Sequence, residues 1–157
     1  MEERACNNYS DILELLPYAS PFHFVDEIES LSANSAKGSY TFPEDAFYYR
    51  GHFPGNPVTP GVILTECCAQ IGLVTLGIYL IKKDHDSLGK DDFRLAFTQA
   101  DIQFLSPAYP GQKVHVVSEK EYFRFHKLKA AVKMFDESGT IICKGVLSGM
   151  LKLKDEK

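Results

Sequence analysis

The sequence predicts an α+β fold in which a curved antiparallel sheet wraps around one long central helix. Three observations carry that reading. The residues from about Pro60 to Leu80 are apolar on nearly every face, so this helix must be enclosed by protein or placed in lipid. One short amphipathic helix and two β-rich segments precede it, and three or four β-rich segments follow. A helix apolar on all sides needs a sheet folded round it. With no repeat, low-complexity tract or linker, residues 1–157 read as a single domain of ordinary size.

Taken in order, Ser10 to Leu16 (SDILELL) reads as a short helix with Ser10 as N-cap, ended by Pro17. Phe22 to Leu31 (FHFVDEIESL) mixes β-branched and aromatic residues in partial alternation and reads as a strand. Lys37 to Phe42 (KGSYTF) follows a Ser/Asn turn as its hairpin partner. Pro43 to Arg50 is a loop or single helical turn carrying Phe47, Tyr48 and Tyr49 next to His52. Beyond the long helix, Lys82 to Asp92 (KKDHDSLGKDD) is a charged connection. Strands are then expected over Phe93–Leu105, Lys113–Phe125, Leu128–Phe135 and Thr140–Leu153, with a DESG turn at Asp136–Gly139 between the last two.

The helix itself follows a loop with three prolines, Pro54, Pro57 and Pro60. Thr59 is placed to cap it, and Pro60 suits the first helical position because its missing N–H costs nothing there. Its length would suffice to span a bilayer, so lipid has to be weighed. Glu66 and Gln70 share one face at i, i+4, and a carboxylate in lipid costs about 2.5–3.5 kcal/mol on insertion scales. With soluble-looking strands on both sides, no membrane span is expected.

Composition narrows the class further. A hydrophobic content of 45% and charged content of 24% are ordinary for a soluble globular protein, and a net charge of −4 without any Lys/Arg run argues against nucleic acid. The N-terminus (MEERACNNYS) is acidic and lacks the apolar core of a signal peptide. Cys6, Cys67, Cys68 and Cys143 form no CxxC pair and no metal-ligand spacing, which fits a reduced, cytoplasmic setting.

Chemistry gathers at the start of the helix. The amides of Gly61 and Val62 are left without helical partners, with the positive end of the dipole behind them. His52 lies just upstream and Glu66 about a turn and a half inside. A histidine poised near neutral pH and a shielded carboxylate form a usual pair for moving protons, and amides at a helix start can hold a carbonyl oxygen as it gains charge. The combination suits β-elimination of water from a 3-hydroxyacyl compound, or its reverse. His52 would take the α-proton, Glu66 would protonate the departing hydroxyl, and Gly61 N–H would polarise the carbonyl. Blander readings stand beside this one. A histidine in a proline-rich loop can be purely structural, buried Cys67 and Cys68 are ordinary core thiols rather than nucleophiles, and His52 with Glu66 lacks a third donor for a metal. No metal or cofactor is expected.

The run His52-Phe53-Pro54-Gly55-Asn56-Pro57-Val58-Thr59-Pro60-Gly61-Val62, followed by Glu66 and Gln70, resembles the signature of the bacterial 3-hydroxyacyl-(acyl-carrier-protein) dehydratases. These are hotdog-fold enzymes of fatty-acid synthesis. Leu15-Leu16-Pro17 with Pro21-Phe22 and Val25-Asp26 is similar to their N-terminal segment, and Phe104 through Pro107, Pro110 and Gly111 to a later one. The resemblance implies that His52 and Glu66 are the catalytic pair, contributed by different subunits of a homodimer with the tunnel at its interface. It also implies that Gly61 N–H binds the thioester oxygen, that the Val58 carbonyl orients His52, and that Gln70 supports Glu66. Phe53, Val62, Tyr48 and Tyr49 are expected beside the substrate. The implied partner is an acyl carrier protein bearing a phosphopantetheine-linked 3-hydroxyacyl chain, and trimers of dimers are common in the family.

Two departures bear on the substrate. Where relatives carry an Arg before the Phe, this chain has Gln103 before Phe104, so carrier docking would fall to groups such as Arg50, Arg94 or Lys113. Thr59 stands where a methionine is common. Both leave the chemistry intact and keep a specialised lipid or polyene pathway open beside housekeeping synthesis. Two alternatives are carried forward: a hotdog thioesterase, in which a carboxylate activates water, and a non-catalytic acyl-binding or partner subunit. Against the first, His52 has no job in simple thioester hydrolysis; against the second, both catalytic positions are filled.

Overall fold

In the computed structural model, which describes residues 9–154, six antiparallel strands form one sheet curved around a single long helix. The short helix α1 (Ser10–Leu15) leads to β1 (Glu27–Leu31) and β2 (Ser35–Thr41), then to a 3₁₀ turn at Phe47–Tyr49. The central helix α2 spans Gly61–Lys82. Strands β3 (Phe93–Phe104), β4 (Lys113–Arg124), β5 (Lys127–Asp136) and β6 (Ile141–Leu153) complete the sheet, in the order β1-β2-β4-β5-β6-β3. This is the α+β architecture that the all-round apolar helix predicts. Cys6 and the acidic N-terminal segment lie outside the described residues.

The core is what the sheet and helix share. Ile142 and Leu147 of β6 join Leu76, Ile78 and Ile71 of the helix in one core, onto which Val114 and Val116 of β4 and Leu128, Ala130, Val132 and Met134 of β5 alternate inward, all almost fully buried. This is the period-2 pattern of a sheet with one face packed. Although α2 is long and apolar enough to cross a bilayer, 78% of its most apolar window is buried inside the fold, as befits a core helix. Its middle, Ala69–Val74, widens into a π-helical turn that sequence reasoning did not anticipate. There the Gly72 carbonyl accepts from Ser118 Oγ at 2.7 Å, and a Cβ on Gly72 would sit 3.0 Å from Val132 Cγ1. A larger residue there would push Val132 and Ser118 back by a few tenths of an ångström, so glycine favours the close approach of helix and sheet.

Three sequence expectations need correction. The first strand begins at Glu27, not Phe22, because the backbone of Phe22 and Phe24 is bound by the Gln70 side chain instead of a neighbouring strand. Thr59 does not cap α2. Pro60 occupies the cap position with extended backbone, its carbonyl accepting from Ile63 and Leu64 N–H, while the Thr59 hydroxyl is bonded to Tyr49. Ser10 is already helical, and the Tyr9 carbonyl starts α1 instead. The remaining strand boundaries differ from expectation by a residue or two, the ordinary fraying of element ends.

Candidate active site

The loop 52–60 is held from several sides before any ligand arrives. Val58 N–H donates to the His52 carbonyl at 2.9 Å, Asn56 N–H to the Phe53 carbonyl at 2.9 Å, and Thr59 N–H to the Ala108 carbonyl at 2.8 Å. The peptide bond between His52 and Phe53 is cis. On this frame the His52 ring stacks on Phe53, centroids 4.2 Å apart, and its Nδ1 lies 2.9 Å from the Val58 carbonyl oxygen. A carbonyl can only accept, so Nδ1 carries the proton of the neutral ring, and Nε2 is left with a free lone pair. A fixed tautomer with a basic nitrogen facing outward is what a general base requires.

At the helix start, the first internal bonds run from Ile63 and Leu64 N–H to the Pro60 carbonyl, at 2.9 and 3.1 Å. The amides of Gly61 and Val62 precede that ladder. Gly61 lines a shallow groove with Phe104, Leu105 and Pro107, and the Phe104 ring would lie 3.1 Å from a Cβ at position 61. Val62 is exposed, the one large apolar residue of the helix's first turn that the sheet does not cover. The helix N-terminus therefore borders a shallow, mostly apolar groove.

One and a half turns on, Glu66 is half-buried, and Gln70 below it is fully buried. Gln70 spends every hydrogen-bonding group it has. Its Oε1 accepts from Phe24 N–H at 2.7 Å, and its Nε2 donates to the Phe22 carbonyl and to Glu66 Oε2, both at 3.1 Å. Burial raises the Glu66 carboxyl above its ordinary range, and the Gln70 bond partly offsets this by favouring the ionised form. A carboxyl shifted upward by burial holds its proton more tightly than a free one, the direction that suits a general acid.

Glu66 opens onto a cavity of about 310 Å³ between α2 and the paired strands β3 and β6. Its walls include Pro17, Leu73, Phe97 and Met150, and Tyr18 and Glu66 are the only lining residues with oxygen or nitrogen in their side chains. An apolar channel with a carboxyl on its wall fits a hydrocarbon chain bearing one reactive oxygen. Of the expected site residues only Glu66 lines this cavity; His52, Phe53, Val58, Gly61, Val62, Gln70, Tyr48 and Tyr49 do not. Tyr49 is buried, its hydroxyl 2.6 Å from Thr59 Oγ1, and the enclosed Tyr48 hydroxyl has no hydrogen-bond partner. Burial pushes the Tyr48 phenol well up.

The structure adds Tyr18, Leu73, Phe97 and Met150 to the residues that sequence reasoning named. The hint for Tyr18 was its place between Leu15-Leu16-Pro17 and Pro21-Phe22; nothing in the spacing marked the others. Cys67 and Cys68 are completely buried, Cys68 Sγ lies 3.7 Å from Cys143 Sγ, and burial lifts the Cys67 thiol well above its ordinary value. A thiol in that state is no nucleophile. Among the described residues no group of three or more His, Cys, Asp and Glu converges to hold a metal ion.

Residues 16–140 match the model of the FabA-like domain. The chain is 32% identical over 144 residues to the 3-hydroxyacyl-(acyl-carrier-protein) dehydratase FabZ of Caldicellulosiruptor saccharolyticus, covering 91% of this chain and 97% of that one. It is 33% identical over 159 residues to the enzyme of the same name from Chlamydia trachomatis serovar L2, covering 99% of each. Among solved structures, the dehydratase heterocomplex ApeI:P from Xenorhabdus doucetiae superposes with a TM-score of 0.72 at 14% identity, over 92% of this chain and 93% of that one. A hypothetical thioesterase from Streptococcus pneumoniae, solved with coenzyme A, superposes with a TM-score of 0.59 at 15% identity, over 81% and 85% of the two chains. At such low identity the structural likenesses speak to the fold alone.

Proposed function

The chain belongs to the FabA-like family and is a 3-hydroxyacyl-(acyl-carrier-protein) dehydratase of the FabZ type, and we propose that His52 and Glu66 are the acid–base pair of its reaction. His52 Nε2 removes a proton from C2 of a (3R)-3-hydroxyacyl thioester. The Gly61 N–H holds the thioester oxygen as negative charge builds on it. Glu66, protonated, gives its proton to the 3-hydroxyl as the C3–O bond breaks, so that water leaves and a trans-2-enoyl thioester remains. Val58 and Gln70 touch neither reacting bond; they hold the two catalytic side chains in the orientation and protonation state each step needs.

The observation that carries this reading is Glu66 itself. A carboxyl half-buried in an apolar channel, bonded through one oxygen to a fully buried amide, is costly to maintain unless it has work to do. The thioesterase alternative leaves the fixed tautomer of His52 without a role.

We further propose that the working unit is a homodimer whose sites are shared. His52 is absent from the lining of its own chain's Glu66 cavity, so a second copy would supply it. Strand β3 stands at the edge of the sheet for 12 residues, with Phe97, Phe104 and Leu105 each about half exposed. A long edge strand of that kind, with Phe97 and Phe104 exposed along it, is a template for pairing with another chain. The carrier protein, acidic and presenting its phosphopantetheine-linked chain, would meet the exposed Arg50 and Arg94 rather than the segment before Phe104. A cytoplasmic setting accords with the free thiols Cys67, Cys68 and Cys143.

The test is water addition to a short enoyl thioester, followed by loss of enoyl absorbance, for wild type, His52→Ala and Glu66→Gln. Each substitution should lower the rate by roughly a hundredfold or more, the range for losing a general acid or base. Release of free thiol with the enoyl group intact would make the protein a thioesterase.

A further inference from the structure

Tyr18 is the one lining residue of the Glu66 cavity that shares its polarity, and nothing in the chemistry above uses it. The strap that carries it, Pro17 to Phe24, is fixed at both ends. Upstream, Leu15 and Leu16 are buried, and Asp11 on α1 lies 3.8 Å from Lys82 near the end of α2. Downstream, Gln70 binds the Phe22 carbonyl and the Phe24 amide. Cys67 Sγ donates weakly to the Phe24 carbonyl at 3.6 Å. The helix face bearing Glu66 therefore holds down the same strap that delivers Tyr18 to the cavity wall. Sequence-distant residues are brought to one channel by a hydrogen-bonded clamp.

The inventory of hydrogen bonds defines what is missing. Gln70 serves Glu66 Oε2 and has no donor left, so Oε1 is the oxygen that meets substrate. When Glu66 has given up its proton, a carboxylate and a nascent water sit in a channel whose other walls are apolar. A second donor there would lower the cost of that state. The Tyr18 phenol is half-buried, and burial, with the Glu66 charge adding to it, keeps the hydroxyl protonated at any working pH. It is a permanent O–H donor on a residue of the cavity wall.

Resting on the dehydratase reading of Glu66, we propose that Tyr18 is a second binding group for the substrate's 3-hydroxyl. Its O–H donates a hydrogen bond to the same oxygen that Glu66 protonates. Tyr18 loses no proton in the cycle: the proton from C2 goes to His52, the proton on Glu66 goes to the hydroxyl, and water departs from between Glu66 and Tyr18. The role makes Tyr18 a determinant of recognition for the 3-hydroxyacyl form over a saturated chain of equal length, since a site built to bond a hydroxyl discriminates against the analogue lacking it.

The experiment compares Tyr18→Phe, which keeps the ring and removes only the oxygen, in two backgrounds. In otherwise wild-type enzyme, kcat/KM for enoyl hydration should fall roughly tenfold, within the span of one lost hydrogen bond to a charged or developing group. In the His52→Ala background, where turnover is blocked, dissociation constants are measured for a 3-hydroxyacyl thioester and for the saturated thioester of the same length. Adding Tyr18→Phe should weaken the hydroxy ligand about three- to tenfold and leave the saturated one within about twofold. Equal weakening of both ligands would make Tyr18 a wall of the channel and overturn the proposal. So would unchanged binding with unchanged kcat/KM, while the dehydratase reading stood. A wild-type enzyme that leaves the enoyl thioester untouched would sink the site assignment first, and this proposal with it.

Discussion

Gln70 Nε2 donates to Glu66 Oε2 across 3.1 Å, joining the fully buried side-chain amide of the central helix to the carboxyl that lines the cavity between α2 and strands β3 and β6. The bond favours the ionised form of Glu66 and so opposes the effect of burial. Gln70→Leu removes it, and the Glu66 pKa should rise further. Hydration needs Glu66 ionised to take a proton from water, so the acid limb of its kcat/KM profile should move to higher pH. The same change leaves the buried Phe24 N–H without its acceptor, which costs about 1–3 kcal/mol of stability by urea unfolding. An acid limb that stays in place would mean Gln70 serves the strap alone.

Glu66 should also make stability depend on pH, with a definite sign. Its folded-state pKa lies above the ordinary 4.5, so the folded protein binds that proton more tightly than the unfolded chain does. The associated stability is fully present below about pH 4.5 and is lost as pH rises through the folded-state value. Glu66→Gln removes the titration. Relative to wild type, the variant should therefore gain stability between pH 4 and pH 7.5, measured by thermal or urea unfolding at both. An identical difference at the two pH values would contradict the buried-carboxyl account.

Gly61→Ala tests the helix-start amide. The added methyl would meet the Phe104 ring at 3.1 to 3.4 Å, and that ring is half exposed and free to pivot. Stability should change by less than about 1 kcal/mol, because alanine is intrinsically the better helix residue. Activity should fall by roughly tenfold or more, since a displaced donor no longer meets the developing oxyanion at the right distance. Full activity with the methyl in place would argue that Gly61 N–H does not touch the substrate.

Thr59 and Tyr49 form a buried pair, hydroxyl to hydroxyl at 2.6 Å, next to the residue that caps α2. Thr59→Val should cost about 1–3 kcal/mol by leaving the Tyr49 hydroxyl unpaired, and Thr59→Ser much less. In a double-mutant cycle with Tyr49→Phe, the second substitution should be nearly free once the first is made. Additive losses would mean that the two residues act independently.

The sequence was most legible where one pattern had one explanation. An apolar surface all round the stretch from Ile63 to Ile81, interrupted by Glu66 and Gln70 and flanked by soluble-looking strands, points to a helix enclosed by protein rather than lipid, and alternation along Val114, Val116 and Ser118 points to a strand with one buried face. It misled where a side chain replaced a regular partner. Phe22 and Phe24 look like strand residues, yet Gln70 takes their backbone groups. Thr59 looks like a cap, yet its hydroxyl turns inward to Tyr49. The cavity beside Glu66 was invisible because its walls converge from separate parts of the chain: Pro17, Leu73, Phe97 and Met150 share no spacing that marks a site. The local motif around His52 could be read; the walls of the Glu66 cavity could not.

The proposed sharing of sites between two copies leads to the most discriminating prediction. If His52 of one copy serves Glu66 of another, each single variant alone is inactive at every site, whereas a mixed dimer carries one complete site. His52→Ala and Glu66→Gln proteins, unfolded together and refolded as a mixture, should recover about a quarter of wild-type activity. Half the dimers are then mixed, and each of these has one working site of two, as a two-fold interface dictates. A site built within one chain would predict none. Refolding each variant alone gives the blank, and the recovered activity should follow the fraction of mixed dimers as the input ratio is varied. Activity that stays at the blank at every ratio, with mixed dimers demonstrated by mass, would return His52 and Glu66 to the same chain.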